Sequence, residues 1–130
     1  MYNQSKAIVL HSIKYGETSL IVNCFLYDIG VKSFMVKGVL NSKNKKFRKS
    51  YFLPLSIIDI NYSIKKNKDI GYISDAKPSK IFITLHVDLF KSSVIIFLGE
   101  LLNSVLKESP GSNKKLFDYL ENAIMWFDQS

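Results

Sequence analysis

The sequence predicts a small β barrel followed by α-helix: a five-stranded barrel of the OB type, then an α-helical segment. Several short apolar or alternating segments lie between residues 6 and 74, separated by turn signals and with no helix between most of them. Past Pro78 the apolar residues switch to three-to-four spacing, the period of helices. Charge divides near the same place: residues 1–80 carry fourteen Lys and Arg against five Asp and Glu, a balance of +9, while residues 81–130 carry four against six, a balance of −2. Residues 1–78 therefore read as an OB-fold nucleic-acid-binding domain, and residues 79–130 as the start of a helical domain whose apolar surface exceeds what two helices alone cover.

The elements follow in order. Lys6 to Ile13 is a nearly continuous apolar run, read as a first strand, and Tyr15-Gly16-Glu17 turns the chain. Ser19 to Tyr27 is the second strand, with Leu20, Val22, Cys24 and Leu26 on one face. Asp28-Ile29-Gly30 connects it tightly to a third strand, where Phe34 and Val36 oppose Ser33, Met35 and Lys37, so Ser19 to Gly38 forms a hairpin. Tyr51 to Ile64 supplies the fourth, with Ile58, Ile60, Tyr62 and Ile64 inward and Pro54 restricted to its start or edge. Lys65 to Asp69 is a polar turn, and Ile70 to Ser74 a last short strand.

A helix is expected from Leu89 to about Lys107, with Asp88 as its N-cap. Its stripe is Phe90, Val94, Phe97, Leu98, Leu101, Leu102 and Val105, thickened by Ile95 and Ile96. Ser109-Pro110-Gly111 ends it. A second helix runs from Asn113 to Asp128 with Leu116, Phe117, Leu120, Ile124 and Phe127 on one face.

Composition narrows the function classes. A hydrophobic fraction of 47% supports a packed core. The single cysteine, Cys24, falls on a core face, which excludes an internal disulfide framework and makes it structural. One cysteine and two histidines argue against a zinc site. No uninterrupted apolar run approaches the ~20 residues of a membrane span, and no secretory pattern opens the chain, so a cytoplasmic protein with no membrane partner is expected. Neither His11 nor His86 lies in a nucleophile motif, and no phosphate-cradling glycine pattern occurs. No catalytic residue, cofactor or metal is expected, and binding is favoured over catalysis.

The binding chemistry is concentrated in Lys32 to Ser50. Lys37, Lys43, Lys45, Lys46, Arg48 and Lys49 offer cations to a phosphate backbone, with Lys14 and Lys32 extending the set. Tyr15, Phe47 and Tyr51 are candidates to stack on bases. Phe47 has an equal second reading as a hydrophobic anchor for the loop. The lysines also have a plain reading as a solvated, solubility-promoting loop.

The segments KAIVLHSIKYGETSLIV, SFMVKGVLNSKNK and YFLPLSIIDI, followed by KSSVIIFLGELLNSVLKE and LFDYLENAI, resemble the RecO family of bacterial DNA repair and recombination mediators. The specific parts are Tyr15-Gly16-Glu17-Thr18, Lys37-Gly38 leading into the basic loop, and Glu100-Leu101-Leu102 in the first helix. The resemblance implies an OB fold, then helices, and binding to single- and double-stranded DNA. It also implies strand annealing, contact with the single-stranded-DNA-binding protein, and cooperation with RecR to help load RecA. The Cys-rich zinc element of many members has no counterpart in these residues. A different class of function uses the same features: a protein-interaction adaptor that docks acidic, hydrophobic tails without touching DNA. An RNA-binding OB domain is a third.

Overall fold

The computed structural model describes residues 3–109 and 111–130; Pro110, expected to help end the first helix, lies outside the described residues. Five strands form a closed barrel: β1 (Asn3–Tyr15), β2 (Ser19–Leu26), β3 (Gly30–Val36), β4 (Ile57–Ser63) and β5 (Ile70–Pro78). The order around the barrel is β1-β2-β3-β5-β4, and β4 closes onto β1. Every pairing is antiparallel except β3 with β5, which run parallel with Met35 opposite Tyr72. Two helices follow, α1 (Leu89–Leu106) and α2 (Lys114–Gln129). The five-stranded OB barrel with a helical segment is the architecture present.

Alternation fills the barrel. Leu20, Val22, Cys24 and Leu26 of β2 and Phe34 and Val36 of β3 are buried together with Ile58, Ile60 and Tyr62 of β4. The fourth strand departs from expectation at both ends. Tyr51 to Ser56 is not strand: Lys49–Phe52 is a 3-10 turn, and Leu55 takes a positive φ of 59° just after Pro54. Ile64 lies past the end of β4, where the chain enters the polar turn, and is exposed rather than inward.

A bulge at Leu10 changes which residues face in. The register of β1 on β2 slips between Val9 and His11, so an extra residue is inserted there. Before the bulge, Ala7 and Val9 enter the barrel core while Ile8 and Leu10 point into a second core beneath the helices. After it the parity is reversed, so Ile13 is left exposed and Lys14, opposite Leu20, turns to the barrel mouth.

The helices pack on the barrel. Ile8, Leu10 and Phe25 meet Ile95, Leu106, Phe117 and Ile124, and the Phe117 ring stands edge-on to Tyr27 at 5.3 Å between centroids. The expected face of α2 is the buried one. That of α1 is buried only in part: Ile95 is in the core and Leu98 and Leu102 pack against it, but Phe90 and Phe97 are 71% and 65% exposed, Leu101, Val105 and Ile96 also face outward, and the buried line is Lys91, Ile95, Gly99, Asn103 and Leu106. α1 is apolar nearly all round, so periodicity alone does not choose its docking face. Close approach and polar pairing do. A side chain at Gly99 would place its Cβ 2.6 Å from the Leu10 carbonyl oxygen. Asn103 accepts a hydrogen bond from Asn23 at 3.2 Å. By length and composition alone α1 matches a membrane span, which the longest uninterrupted run did not suggest. Here its Asn103 bonds the barrel and its Lys91 the α2 terminus.

Asp128 and Lys91 tie the two helices to the connecting segment. The Asp128 carboxylate accepts from the backbone N–H groups of Ile83, Thr84 and Leu85 at 2.8–3.0 Å. Lys91 Nζ donates to the Thr84 hydroxyl at 2.8 Å and to the Asp128 carbonyl at 3.1 Å, a favourable place for a cation at the end of α2. Asp88 caps α1 through Lys91 N–H, and Asn113 caps α2 through Leu116 N–H.

Two outcomes follow from these contacts. Gly99→Ala removes a helix-weakening glycine, worth about 1 kcal/mol of gain, but drives a methyl into a backbone carbonyl, an overpacking cost of about 1–3 kcal/mol. The clash prevails, so the thermal midpoint falls; a rise would refute the docking of α1 on β1. Burial opposes ionisation of Asp128, yet the hydrogen bonds from Ile83, Thr84 and Leu85 outweigh it and hold its carboxyl below the ordinary range. Its stabilisation is therefore full above the unfolded carboxyl value near ~3.9 and is lost as pH falls through the lower folded value. Asp128→Asn lowers stability at neutral pH by roughly 1.5–3 kcal/mol and flattens the acid side of the stability–pH curve, read by denaturant melts across pH.

Candidate nucleic-acid interface

The basic loop between β3 and the 3-10 turn is held in shape from within. Asn44 donates through Nδ2 to the carbonyls of Val39 and Phe47 at 3.2 and 2.6 Å, and its Oδ1 accepts from Lys46 N–H at 2.8 Å. Asn41 Oδ1 accepts from Lys43 N–H at 3.0 Å, the same two-residue-on closure. Gly38, at φ 76°, begins the turn, and Leu40 N–H bonds the Thr18 carbonyl at 2.8 Å, tying the loop to the β1–β2 turn. Val39 and Phe47 are buried in the barrel core, with the Phe47 ring 6.1 Å from that of Phe52. Phe47 is the anchor of its two readings. Its ring packs into the barrel core and is 9% exposed.

With the apolar residues turned in, the cations turn out. Lys37, Lys43, Lys45, Lys46, Arg48 and Lys49 are all exposed. They do not converge on one point. Lys37, Lys43 and Lys46 border a shallow cavity of about 270 Å³. Lys49 shares a cavity of about 430 Å³ at the barrel mouth with Lys14, beside Leu20, Leu40 and Phe52. Arg48 faces a third, of about 380 Å³, with Tyr51, Lys80 and His86. Lys45 borders none of these three cavities. Tyr15, at the β1–β2 turn, is 55% exposed and available to a ligand. Tyr51 packs partly on the core. Lys32 stands apart: it is the third residue of β3, five residues or roughly 17 Å from Lys37 at 3.3 Å per residue, on the parity of buried Phe34.

Electrostatics separate this face from the helical one. Among the described residues Lys6 forms an ion pair with Glu121 at 3.0 Å, and His11 Nδ1 lies 2.5 Å from the Glu100 carboxylate, both at the contact between barrel and helices. None of the loop cations has a carboxylate partner. Cys24 is buried, and burial pushes its thiol up to about 12, so it is no nucleophile at neutral pH. Among the described residues no group of three or more His, Cys, Asp or Glu is placed to hold a metal.

Sequence reasoning missed Asn44, Val39, Lys65 and Tyr72. The repeated Asn-x-Lys spacing at Asn41 and Asn44 was the legible signal for the loop. Lys65 and Tyr72 became neighbours of Lys37 only through the parallel pairing of β3 and β5. Tyr72 carries Lys37 Nζ at 5.1 Å and Lys65 Nζ at 5.9 Å from its ring centroid.

Residues 1–82 match the sequence model of a family described as recombination protein O, N terminal. The chain is 38% identical to a DNA repair protein RecO of Flavobacterium johnsoniae over 128 residues, covering 98% of this chain and 54% of that protein. A RecO of Christiangramia forsetii is 33% identical over 130 residues, 100% of this chain and 54% of the relative. A RecO of Bacteroides fragilis is 34% identical over 128 residues, 98% and 52% respectively. The chain thus spans about half the length of the curated relatives it matches. With the closed barrel, the helices behind it and this match over more than half its residues, the chain belongs to the recombination protein O family of DNA repair proteins.

Proposed function

We propose that this chain is a DNA-binding module of a recombination mediator, binding single and double strands through its basic loop and acting by binding rather than catalysis. The observation that carries the reading is the loop itself: Asn44 and Phe47 fix its backbone, and six exposed cations from Lys37 to Lys49 project from it without carboxylate partners. A fixed scaffold lowers the ordering cost of binding a polyanion. Each phosphate neutralised releases counterions, which gives affinity without base specificity. Lys14 and Lys49 at the barrel mouth widen the same surface, and Tyr15 offers a ring beside it.

On this reading residues 1–78 are the nucleic-acid-binding unit and residues 79–130 open a helical unit. The protein works in the cytoplasm with chromosomal DNA, and strand annealing, the single-stranded-DNA-binding protein, RecR and, indirectly, RecA are the partners and activity that the family resemblance suggests. The adaptor reading has one observation in its favour. An apolar cavity of about 280 Å³ lies between α1 and α2, lined by Leu98, Leu101 and Trp126 among others.

Alanine at Lys43, Lys45, Lys46, Arg48 and Lys49 together should weaken single-strand binding at least ~10-fold and reduce the slope of log affinity against log salt by up to about 3–4. Phe47→Leu, which keeps an apolar anchor, should retain affinity. An unchanged slope in the fivefold variant would refute the loop as the interface. An acidic, hydrophobic peptide titrated against the DNA complex separates the readings: peptide binding by a chain that binds no DNA supports the adaptor, whereas salt-sensitive DNA binding supports the mediator module.

A further inference from the structure

OB barrels commonly bind nucleic acid across the face of their second and third strands and the loops that border it. In this chain part of that face is taken. Phe25 and Val31 lie in the helix-side core, and Asn23 is hydrogen-bonded to Asn103 of α1 and to Ser33. A nucleic-acid strand leaving the basic loop must therefore run elsewhere, and at the Met35–Tyr72 end of the β3–β5 pair the outer surface carries no residue of the helix-side core.

That surface carries a built feature. Gly71 lets the corner close: a Cβ there would lie 2.8 Å from the Ser63 carbonyl oxygen and 3.0 Å from the Phe34 ring. Its neighbour Tyr72 consequently faces outward, half-buried between Met35 of β3 and Ser63 of β4. Lys37 approaches the Tyr72 ring from the basic-loop end at 5.1 Å, and Lys65 from the β4–β5 turn at 5.9 Å. Lys37 also borders the shallow cavity shared with Lys43 and Lys46. Cations and ring thus form an unbroken line from the loop across the barrel to the turn that holds Lys65, Lys66 and Lys68.

We propose that Tyr72, bracketed by Lys37 and Lys65, is a base-stacking subsite for single-stranded nucleic acid on the outer face of β3 and β5. The inference rests on the nucleic-acid reading above and deepens it by naming the strand state and the path. A base stacked on the ring gains more than an exposed ammonium held over it. The base therefore displaces a lysine, which remains within reach of the flanking phosphates. A duplex, whose bases are already stacked on one another, cannot use the ring and engages only the cations.

The test compares the 130-residue chain binding a ~15-nucleotide oligothymidylate, an abasic oligomer with the same number of phosphates, and a duplex. Stacking makes the unaltered chain prefer the thymidylate over the abasic oligomer by roughly 5- to 150-fold. Tyr72→Leu abolishes that preference and leaves abasic and duplex affinity unchanged, whereas Tyr72→Phe keeps it. Should Tyr72→Leu fail to fold, Lys65→Ala, which lies outside the basic loop, reads the same subsite through a salt slope on thymidylate lowered by about 0.7. Preference surviving in Tyr72→Leu, equal binding of thymidylate and abasic oligomers by the unaltered chain, or an unchanged slope in Lys65→Ala would overturn the subsite while loop-dependent binding keeps the DNA-binding reading intact. Failure of the unaltered chain to bind any of the three overturns both.

Discussion

Four consecutive residues, Ala7-Ile8-Val9-Leu10, hold the two cores of this protein together. Each is at most 1% exposed, so β1 is buried on both faces. A strand of that kind reads as a continuous apolar run rather than as alternation, because neither face is left for solvent. Ala7 and Val9 serve the barrel, Ile8 and Leu10 the helices, and the Leu10 carbonyl is the surface against which Gly99 closes. The bulge at Leu10 is then the point where one strand stops serving two cores. Beyond it the chain turns Lys14 to the mouth and leads into the turn that carries Tyr15.

The basic loop shows how polar and apolar residues divide the work of a binding surface. A run of lysines by itself is a solvated chain that must be ordered on binding, at a conformational cost of about 1–2 kcal/mol per backbone residue fixed. Here that cost is met in folding, by Asn44 bridging the Val39 and Phe47 carbonyls and by the Phe47 ring seated against Phe52. On the proposed reading Phe47 therefore contributes through position rather than through contact with a ligand. Each cation is individually weak in water and screened by salt within about 8–10 Å, so the surface depends on several of them being held in place at once.

The barrel was legible in the sequence because its strands obey simple rules. Leu20, Val22, Cys24 and Leu26 alternate, as do Phe34 with Val36 and Ile58 with Ile60 and Tyr62, and every one of them is buried. Helix α2 was equally readable, since its apolar residues occupy one face. The face of α1 was hidden for a physical reason: with apolar residues all round, the decisive positions are Gly99, Asn103 and Lys91, which a hydrophobic pattern passes over. The loop cations were visible as composition, but Asn44, which shapes the loop, looked like another polar loop residue. Tyr72 lay outside any local pattern. It meets Lys37 only because β3 and β5 pair in parallel, a long-range fact that no window of sequence contains.

The same long-range geometry explains why charge and fold divide at one place. The helical part carries the acidic surplus, and two of its carboxylates, Glu121 and Glu100, pair with Lys6 and His11 where the helices meet the barrel. The Lys6–Glu121 pair neutralises a barrel cation on the side presented to the helices. The cations of the loop, of the barrel mouth and of the β4–β5 turn are left without such partners among the described residues. A polyanion near this molecule thus experiences an attractive field from one side and an apolar, slightly acidic surface from the other. The helices also reach the edge of that surface, since Ile96 and Glu100 of α1 line the barrel-mouth cavity beside Lys14 and Lys49, so on the proposed reading they bound the face of the barrel that a nucleic acid can reach.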